Sequence, residues 1–327
     1  MHCKNAANDV LVSVNNLKMY FPVPGENPFR KDYVRAVDDV TLEIHKGEVL
    51  GLVGESGCGK STLGSTILHL LDPTEGNVII KDQNLADLSS RDMKSFRQKM
   101  QMIFQDPSAS LNPRRTIKNA LLEPFRIHKI GTPQEREDRI NFLINRVGLS
   151  EYHLSRYPHE LSGGQKQRVS IARALTLNPE IIICDEAVSA LDVSIQAQVI
   201  DLLQDLQEEF DLTYLFISHD LSVVYYISDR VAVMYLGKVI ELGTRDAIFD
   251  NTLHPYSRAL ISAIPQVDPS QAKERIILKG DLPSPVKPPS GCRFHVRCSE
   301  CMEICKTDIP EFLEYDDGHF VACHLYK

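Results

Sequence analysis

Short, unbroken runs of apolar residues alternate with segments of helical periodicity along residues 1–265. The helical patterns cover 60–71, 166–176 and 194–210. Unbroken apolar runs are typical of strands buried on both faces of a sheet, and their alternation with helices predicts an α/β domain with a largely parallel sheet. The predicted strands are VLVSV (10–14), EVLGLVG (48–54), MQMIF (100–104), EIIICDE (180–186), LTYLFIS (212–218) and RVAVMYL (230–236).

Two segments depart from this alternation. Residues from about 105 to 175 are mostly helical in pattern, which predicts a helical subdomain inserted into the α/β core. The stretch DLPSPVKPPSG (281–291) indicates a linker, because proline is disfavoured inside helices and central strands. Five of the eight cysteines follow it. We therefore expect an α/β domain over 1–265 and a small cysteine-rich C-terminal appendage over 266–327.

Composition narrows the classes of protein that fit. The 327 residues are 43% hydrophobic and 24% charged, as in folded globular proteins. The formal net charge of −8 disfavours a nucleic-acid-binding role, because such proteins are usually basic. No apolar run reaches the roughly 18–20 residues that a membrane span needs, and the N-terminus has no secretory-signal pattern. We expect a cytosolic chain whose cysteines are thiols or metal ligands rather than disulfides.

The strongest motif is GESGCGKST, residues 54–62, which fits the pattern G-x-x-x-x-G-K-[ST] between a predicted strand and a predicted helix. Glycines let successive backbone N–H groups face a phosphate, and the helix start adds the positive end of its dipole. Lys60 is expected at the β- and γ-phosphates and Ser61 at Mg²⁺. The predicted nucleotide contacts are Gly54, Glu55, Ser56, Gly57, Cys58, Gly59, Lys60, Ser61 and Thr62.

A second motif, IIICDE at 181–186, ends a buried strand with two carboxylates. Asp185 is expected to hold Mg²⁺, directly or through water. Glu186 follows it, so its side chain points away from that of Asp185 and can contact the attacking water. Together with the phosphate-binding loop, the two carboxylates predict hydrolysis of a nucleoside triphosphate.

A third motif, LSGGQ at 161–165, opens a predicted helix. Ser162 is a favourable N-cap residue, and Gly163 and Gly164 leave the first backbone N–H groups uncovered. The start of this helix is therefore predicted to be a second anion site, with Gln165 in its first turn. A plain kinase or GTPase does not explain this motif.

These three motifs resemble those of the ATP-binding subunits of ABC transporters, and the resemblance covers residues 1–265. It implies that two such subunits pack head to tail, with each ATP held between the phosphate-binding loop of one and the LSGGQ helix of the other. By this resemblance, Gln105 contacts Mg²⁺, the attacking water and the membrane subunit. Asp192, in SALD, crosses the dimer, and His219, in FISHD, lies near the γ-phosphate.

The same family usually stacks an aromatic residue from the start of the domain on the adenine ring. The segment KMYFP offers two candidates. Phe21 is the predicted stacking residue, Tyr20 is the alternative, and a core or loop role stays open.

Further segments resemble the oligopeptide/dipeptide importer group, and the SASLNPR variant resembles its second, F-type ATPase subunit. The implied partners are two transmembrane permease subunits, a paralogous ATPase subunit (with a homodimer possible in isolation) and, indirectly, an extracytoplasmic solute-binding protein. The implied role is to power import of di- or oligopeptides from the cytoplasmic face of the membrane. The group also includes importers of nickel and other small solutes, which stay open. Ala187 departs from the group, which usually has proline there. The segments are FQDPSASLNPR (104–114), DEAVSALDVSIQAQ (185–198), HPYSRALISAIP (254–265) and PPSGCRFHVRC (288–298).

The C-terminal cysteines indicate a metal site. From residue types alone zinc ranks first, because Cys₄ zinc sites are common in small domains, although the usual C-x₂₋₄-C spacing fits only 298–301 and 301–305. This cysteine pattern resembles that of peptide-importer ATPases that carry a [4Fe–4S] cluster. This resemblance implies the ligands Cys292, Cys298, Cys305 and Cys323.

Cys301 is then an additional thiol. His295, His319 and His324 are near enough in sequence to compete as ligands, although packed or solvated histidines are commoner. DNA-repair and chromosome ATPases share the first and third motifs but separate them by long coiled coils, which this sequence lacks. A cluster-bearing, redox-sensing ATPase is the alternative from a different class.

Overall fold

The computed structural model describes residues 9–25, 31–264 and 275–326. Its internal contacts divide the chain into two compact units. Unit 1 contains the described residues of Met1–Ile44, Val49–Ala86 and Ser218–Lys327, and unit 2 contains His45–Glu48 and Asp87–Ile217. The predicted domain boundary between 265 and 266 lies outside the described residues.

The strands and helices are as follows. The strands are β1 (Val10–Pro24), β2 (Lys31–His45), β3 (Val49–Val53), β4 (Glu75–Ile80), β5 (Gln83–Asn84), β6 (Met100–Ile103), β7 (Ile181–Asp185), β8 (Thr213–Ile217), β9 (Arg230–Tyr235), β10 (Lys238–Thr244), β11 (Leu313–Asp316) and β12 (His319–Val321). The helices are α1 (Lys60–Ile67), α2 (Ser90–Phe96), α3 (Pro107–Ser110), α4 (Ile117–His128), α5 (Pro133–Arg146), α6 (Gly163–Ala174), α7 (Val193–Phe210), α8 (Leu221–Ile227), α9 (Arg245–Asp250), α10 (Pro255–Ser262) and α11 (Ile304–Thr307).

Unit 1 contains a sheet with the strand order β2-β1-β4-β5, which the sequence predicted only in part. β1 and β4 are antiparallel, with Val12 opposite Ile80. Burial alternates along β2, where Val40 and Leu42 are buried and Thr41 between them is exposed. A strand with one buried face lacks the unbroken apolar run that identified the other strands, so this sheet was missed apart from the first part of β1.

The strand that leads into GESGCGKST lies in a second sheet of unit 1. β3 is parallel to β9, with Val53 opposite Val233. β10 pairs antiparallel with β9 on one side and with β12 on the other, and β12 pairs with β11. The C-terminal strands therefore extend a sheet of unit 1, and the predicted separate appendage is not confirmed. Pairing with β10 gives this short segment the apolar contacts that it is too small to form alone.

Unit 2 combines three parallel strands with the predicted helical segment. β6, β7 and β8 pair in that order, with Ile103 opposite Cys184 and Asp185 opposite Ile217. Every residue of β7 and β8 is buried. The stretch from about 105 to 175 contains α3, α4, α5 and α6, and α6 contacts α3, α4, α5, α7 and β6. The strand that leads to the two carboxylates is thus buried along its whole length.

The predicted strands and helices are all present, with shifted ends. α1 ends at Ile67 rather than at residue 71, because His69 adopts the left-handed conformation with φ 52. Parallel pairing holds for β3 with β9 and for β6 to β8, whereas β10, β11 and β12 add antiparallel pairs. In the part of the chain that the structure describes, no helix combines the length and apolar character needed to cross a bilayer.

Candidate nucleotide-binding site

The GESGCGKST loop of unit 1 connects the fully buried strand β3 to α1. α1 begins at Lys60, with Gly59 as its N-cap in the left-handed conformation, and its first turn has no acidic side chain. The positive end of the helix dipole is therefore available to an anion. Of the remaining loop positions, Ser56, Gly57 and Ser61 are exposed and Glu55 and Thr62 are half-buried.

Two glycines of this loop are required by close backbone packing. A Cβ atom at Gly54 would lie 2.2 Å from the carbonyl oxygen of Met234, and one at Gly59 would lie 1.9 Å from that of Ala36. Both glycines also have positive φ, at 152 and 109. The loop is thus packed directly against the backbone of β9 and β2, which makes it a rigid cradle.

The Lys60 side chain folds back over this loop. Its Nζ donates hydrogen bonds to the carbonyl oxygens of Gly54 at 2.8 Å and Glu55 at 3.0 Å, and the residue is only 5% exposed. Burial raises the pKa of the neighbouring Cys58, which therefore stays a neutral thiol. Anionic phosphate oxygens bind an ammonium more strongly than neutral carbonyl oxygens do. The lysine is therefore placed to exchange these carbonyls for the phosphates of a nucleotide.

Gln105 and Glu186 are brought together by strand pairing within unit 2. β6 and β7 are parallel with Ile103 opposite Cys184, and Gln105 and Glu186 each lie two residues after this pair. Gln105 Nε2 donates a hydrogen bond to Glu186 Oε2 at 2.7 Å. Glu186 has a φ of 47, which is uncommon for a residue other than glycine and frequent at functional sites. The predicted water-contacting carboxylate is thus held by both backbone and side chain.

Asp185 closes β7 and is buried, at the carboxyl end of a parallel pair of strands. This is the edge at which α/β proteins bind ligands. In unit 1, Ser61 presents a hydroxyl in the first turn of α1. Carboxylate and hydroxyl oxygens are both donors that suit Mg²⁺, so the chemistry of each residue, taken within its own unit, fits its predicted role.

The LSGGQ segment forms a capping box at the start of α6. Ser162 Oγ accepts the backbone N–H of Gln165 at 3.3 Å, and Gln165 Oε1 accepts that of Ser162 at 2.9 Å. Ser162 and Gly163 are exposed. A Cβ atom at Gly164 would lie 2.6 Å from Ile195 Cγ2, so glycine allows α7 to pack against this helix start. The exposed helix start retains the properties of an anion site.

Asp192 and His219 follow β7 and β8, respectively. In unit 2, Asp192 is exposed at the N-cap of α7, where its side chain makes no capping hydrogen bond. In unit 1, His219 is exposed next to Ser218, whose backbone N–H donates to the carbonyl oxygen of Leu52 at 3.2 Å. His219 therefore lies beside the strand that carries the phosphate-binding loop. The role of Asp192 across a dimer stays a prediction.

Tyr20 and Phe21 are consecutive residues of β1 and therefore face opposite sides of it. The Tyr20 hydroxyl donates to Asp38, and the Arg35 guanidinium lies 5.8 Å from the centroid of the tyrosine ring. Phe21 is half-buried. Tyr20 is thus committed to a polar network, and Phe21 stays the predicted adenine contact.

The four cysteines of the predicted metal site influence one another within unit 1. Burial raises the pKa of Cys292 to about 12, and the nearby thiolates of Cys298, Cys305 and Cys323 act in the same direction. Burial likewise raises the pKa of Cys298 to about 11. Cysteine sulfurs are the donors that zinc sites and iron–sulfur clusters use, so the residue types suit a metal. Across residues 9–25, 31–264 and 275–326, however, no three or more His, Cys, Asp or Glu side chains are arranged to hold a metal ion.

The three histidines near these cysteines have other partners. His319 Nε2 lies 2.9 Å from Oε1 of the fully buried Glu241. His295 and His324 each contact a backbone carbonyl oxygen at 2.9 Å. These contacts favour a packing role for the histidines.

The residues that join the C-terminal segment to the phosphate-binding loop were not predicted from the sequence. Arg297 forms two hydrogen bonds to the Glu55 carboxylate, at 2.7 and 3.0 Å. Tyr256 Oη accepts the backbone N–H of Glu55 at 2.9 Å, and Arg293 pairs with Asp38. Both arginines belong to PPSGCRFHVRC, where only the cysteines had been assigned a role. The signal available in the sequence was an arginine next to each of two cysteines, with Arg293 after Cys292 and Arg297 before Cys298.

The chain matches two protein-family models. Residues 37–189 match the one described as ABC transporter, and residues 240–305 match the one described as oligopeptide/dipeptide transporter, C-terminal region. The chain is 56% identical to the oligopeptide transport ATP-binding protein AppF of Bacillus subtilis (strain 168), over 98% of this chain and 99% of that protein.

Solved structures of ATP-binding cassettes are also similar. One is the ATP-binding cassette MJ0796, a dimeric structure of a post-hydrolysis state bound to ADP and Pi. It is 32% identical with a TM-score of 0.64, over 72% of this chain and 98% of that chain. Another is cbiO1 from Clostridium perfringens, part of the ABC transporter complex cbiONQ, which is 27% identical with a TM-score of 0.64, over 75% of this chain and 93% of that chain. The chain therefore belongs to the ABC transporter family, as an ATP-hydrolysing subunit of its oligopeptide/dipeptide importer group.

Proposed function

We propose that this chain hydrolyses ATP to power the import of di- and oligopeptides across the cytoplasmic membrane, working at its cytoplasmic face. One observation carries the proposal: the 56% identity with AppF extends over 98% of the chain. The similarity therefore includes the C-terminal region as well as the cassette. AppF is named as an oligopeptide transport ATP-binding protein, and this supports peptides as the substrate class.

The proposed partners are two transmembrane permease subunits, a paralogous ATPase subunit and, through the permease, an extracytoplasmic solute-binding protein. An open groove of unit 2 supports the permease contact, because it is lined by residues 108–114 and Glu123 and begins shortly after Gln105. A conformational change at Gln105 can therefore be transmitted to the groove through the few residues that separate them. The dimeric state of the MJ0796 cassette supports a pair of ATPase subunits.

ATP binding is proposed to join two subunits. Lys60 leaves the carbonyls of Gly54 and Glu55 for the β- and γ-phosphates, and Phe21 stacks on adenine. Ser61 and Asp185 would hold Mg²⁺, which would neutralise negative charge on the phosphates. The LSGGQ helix start of the second ATPase subunit closes the other side of the triphosphate. ATP drives this closure only because it binds the closed pair more tightly than the open one.

Hydrolysis is proposed to depend on Glu186. Its carboxylate polarises the attacking water, and the 2.7 Å hydrogen bond from Gln105 fixes its orientation. Lys60 and His219 stabilise the charge that develops on the γ-phosphoryl group, and Asp192 contacts the second subunit. Loss of the γ-phosphate then releases the helix start from the shared site.

The substrate class is tested with the intact complex that purifies with this chain. The complex is reconstituted into liposomes, and uptake of labelled di- to hexapeptides is compared with uptake of Ni²⁺. We expect ATP-dependent peptide uptake that requires the solute-binding protein. Uptake of nickel with no peptide uptake would assign the chain to the small-solute importers instead.

We propose further that Cys292, Cys298, Cys305 and Cys323 hold a [4Fe–4S] cluster, with Zn²⁺ as the alternative. The support is the family resemblance alone, because the described residues include no group of three or more His, Cys, Asp or Glu side chains arranged to hold a metal ion. When bound, the cluster supplies a structural cross-link between four points of the C-terminal segment.

Iron, sulfide and zinc are measured after anaerobic purification. We expect iron and sulfide in equal amounts, their loss in Cys305→Ser and their retention in the control Cys301→Ser. A colourless protein that contains zinc and no iron would establish the alternative.

A further inference from the structure

Glu55, the second residue of the phosphate-binding loop, is held at three points within unit 1. Its backbone N–H donates to Tyr256 Oη at 2.9 Å, and its carbonyl oxygen accepts from Lys60 Nζ at 3.0 Å. Its carboxylate pairs with Arg297 through two hydrogen bonds, with 2.7 Å from Nη1 to Oε2 and 3.0 Å from Nη2 to Oε1. When Lys60 leaves for a phosphate, the contacts from Tyr256 and Arg297 can remain.

The segment that carries Arg297 is itself firmly packed. Phe294 is 2% exposed, and its ring centroid lies 5.3 Å from that of Tyr235 and 5.4 Å from that of Tyr256. Arg293 pairs with Asp38, where it is likewise buried. Arg297 therefore reaches the loop from a fixed base rather than from a mobile tail.

The pair is directional and largely shielded from water. The Arg297 side chain is 8% exposed and that of Glu55 is 28% exposed. A planar guanidinium that binds both carboxylate oxygens fixes the orientation of the carboxylate as well as its charge. Because this pair is partly buried, salt screens it less than a surface ion pair.

Charge explains why the pair matters for the nucleotide. Lys60 is the loop cation that has to reach the phosphates, and it already contacts the backbone of Glu55. A carboxylate released at position 55 would compete with the phosphates for the Lys60 ammonium and would add negative charge beside an anionic ligand.

We propose that Arg297 is a positioning residue for ATP binding, which holds the Glu55 carboxylate away from Lys60 and from the incoming phosphates. This inference uses only the binding of ATP by the GESGCGKST loop. It rests neither on peptide import nor on a metal at the cysteines, so it can fail while those proposals stand.

The test compares Arg297→Gln, Glu55→Gln and the double variant in the full-length chain. The Kd for ATP is measured by equilibrium binding, and KM and kcat are measured in the assembled transporter. We expect Arg297→Gln to raise the Kd at least about tenfold and the double variant to return it to within about threefold of wild type. The kcat at saturating ATP should stay within about threefold, because the pair acts on binding and not on the reacting groups.

Two further variants separate positioning from general stability. Arg258→Gln breaks the 3.1 Å pair with Glu300, which links α10 to the same C-terminal segment, and we expect its Kd for ATP to equal that of wild type. Arg297→Lys keeps the charge but loses the planar fork, so we expect an intermediate rise of about threefold that Glu55→Gln relieves.

The inference is wrong if Arg297→Gln leaves the Kd unchanged. It is also wrong if the double variant binds ATP as weakly as Arg297→Gln alone, because Arg297 would then act only as an anchor. If Arg297→Gln does not fold, Arg297→Lys with and without Glu55→Gln gives the same comparison. An unchanged Kd in Arg297→Lys, or a rise that Glu55→Gln does not relieve, would then overturn the proposal.

Discussion

Gln105 donates a hydrogen bond from Nε2 to Oε2 of Glu186, at 2.7 Å. The two residues are far apart in sequence and meet because β6 and β7 pair in parallel with Ile103 opposite Cys184. The segment that follows Gln105 leads to the groove proposed for the permease. One hydrogen bond therefore connects the carboxylate that is proposed to act in hydrolysis to the segment that leads to the proposed permease contact.

Replacing Glu186 with Gln should abolish hydrolysis while leaving nucleotide binding intact. The amide keeps an oxygen that can accept from Gln105, but it cannot polarise the attacking water as a carboxylate does. We expect kcat to fall by at least about 100-fold, with the Kd for ATP within about threefold of wild type. Phosphate release and equilibrium nucleotide binding measure the two effects.

Glu180→Gln is the matched control for this substitution. Glu180 lies just before the start of β7, and its carboxylate is 3.9 Å from Lys99. The substitution therefore removes a carboxylate near the same strand without changing the proposed site. We expect its ATPase activity to stay within about twofold of wild type. Equal losses in both variants would show that Glu186 acts through the strand and not through the water.

The two loop glycines at 57 and 59 should differ sharply when replaced by alanine. Both have positive φ, but a Cβ atom meets nothing within 4 Å at Gly57 and lies 1.9 Å from Ala36 O at Gly59. We expect Gly57→Ala to cost about 1–2 kcal/mol of unfolding free energy from the backbone conformation alone, and Gly59→Ala to cost more and to abolish ATP binding. Urea unfolding and nucleotide binding test this, and equal effects would contradict the packing described.

Ser162→Ala separates the two sides of the proposed shared site. Loss of the Ser162 cap should lower the unfolding free energy by about 1 kcal/mol. The ATPase rate of the assembled transporter should fall by at least about tenfold, because the helix start then loses a phosphate contact. The Kd for ATP of the isolated chain should not change. If the Kd of the isolated chain for ATP instead rose by the same factor as the ATPase rate fell, Ser162 would belong to a site within one subunit.

His254 should make the stability of unit 1 depend on pH. Its ring is fully buried, and its Nδ1 accepts the backbone N–H of Tyr256 at 3.0 Å. Burial lowers its pKa from 6.5 to about 4, against the opposing effect of the Glu241 carboxylate. Between these two values the unfolded chain binds a proton at this residue and the folded chain does not, so stability is present above pH 6.5 and is lost as the pH falls towards 4.

The variant His254→Asn tests this dependence. Asparagine is a favourable N-cap residue that can accept the same backbone N–H, but it does not titrate. We expect the unfolding free energy of wild type to fall by up to about 3 kcal/mol more than that of the variant between pH 7 and pH 4. Urea unfolding at three pH values gives the comparison. Parallel curves for the two proteins would show that the buried imidazole makes no such contribution.

The motifs that sequence analysis located share one property: each works through neighbours in the chain. The loop from Gly54 to Lys60 and the cap at Ser162 each combine a turn or cap with the helix that follows, so their spacing in the sequence reflects the geometry. Asp185 and Glu186 similarly end a strand that is recognisable from its unbroken apolar run.

The features that were missed depend on contacts between distant parts of the chain. Arg297 and Glu55 are separated by 242 positions, and no local pattern predicts their pairing. β12 is a short strand without a long apolar run, so its pairing with β10 was not predicted. The C-terminal segment was therefore expected to be separate. The Gln105–Glu186 hydrogen bond likewise depends on the register of two strands, although both residues were predicted as site residues.

ATP-dependent peptide uptake by the reconstituted complex tests the proposed function most directly. Proteoliposomes are prepared with wild-type chain and with Glu186→Gln, and uptake of a labelled tripeptide is measured with ATP supplied on the side of the ATPase subunits. We predict accumulation with the wild-type chain, none without ATP and none with Glu186→Gln. Accumulation at the wild-type rate in the variant, or without ATP, would contradict peptide import driven by hydrolysis at this site.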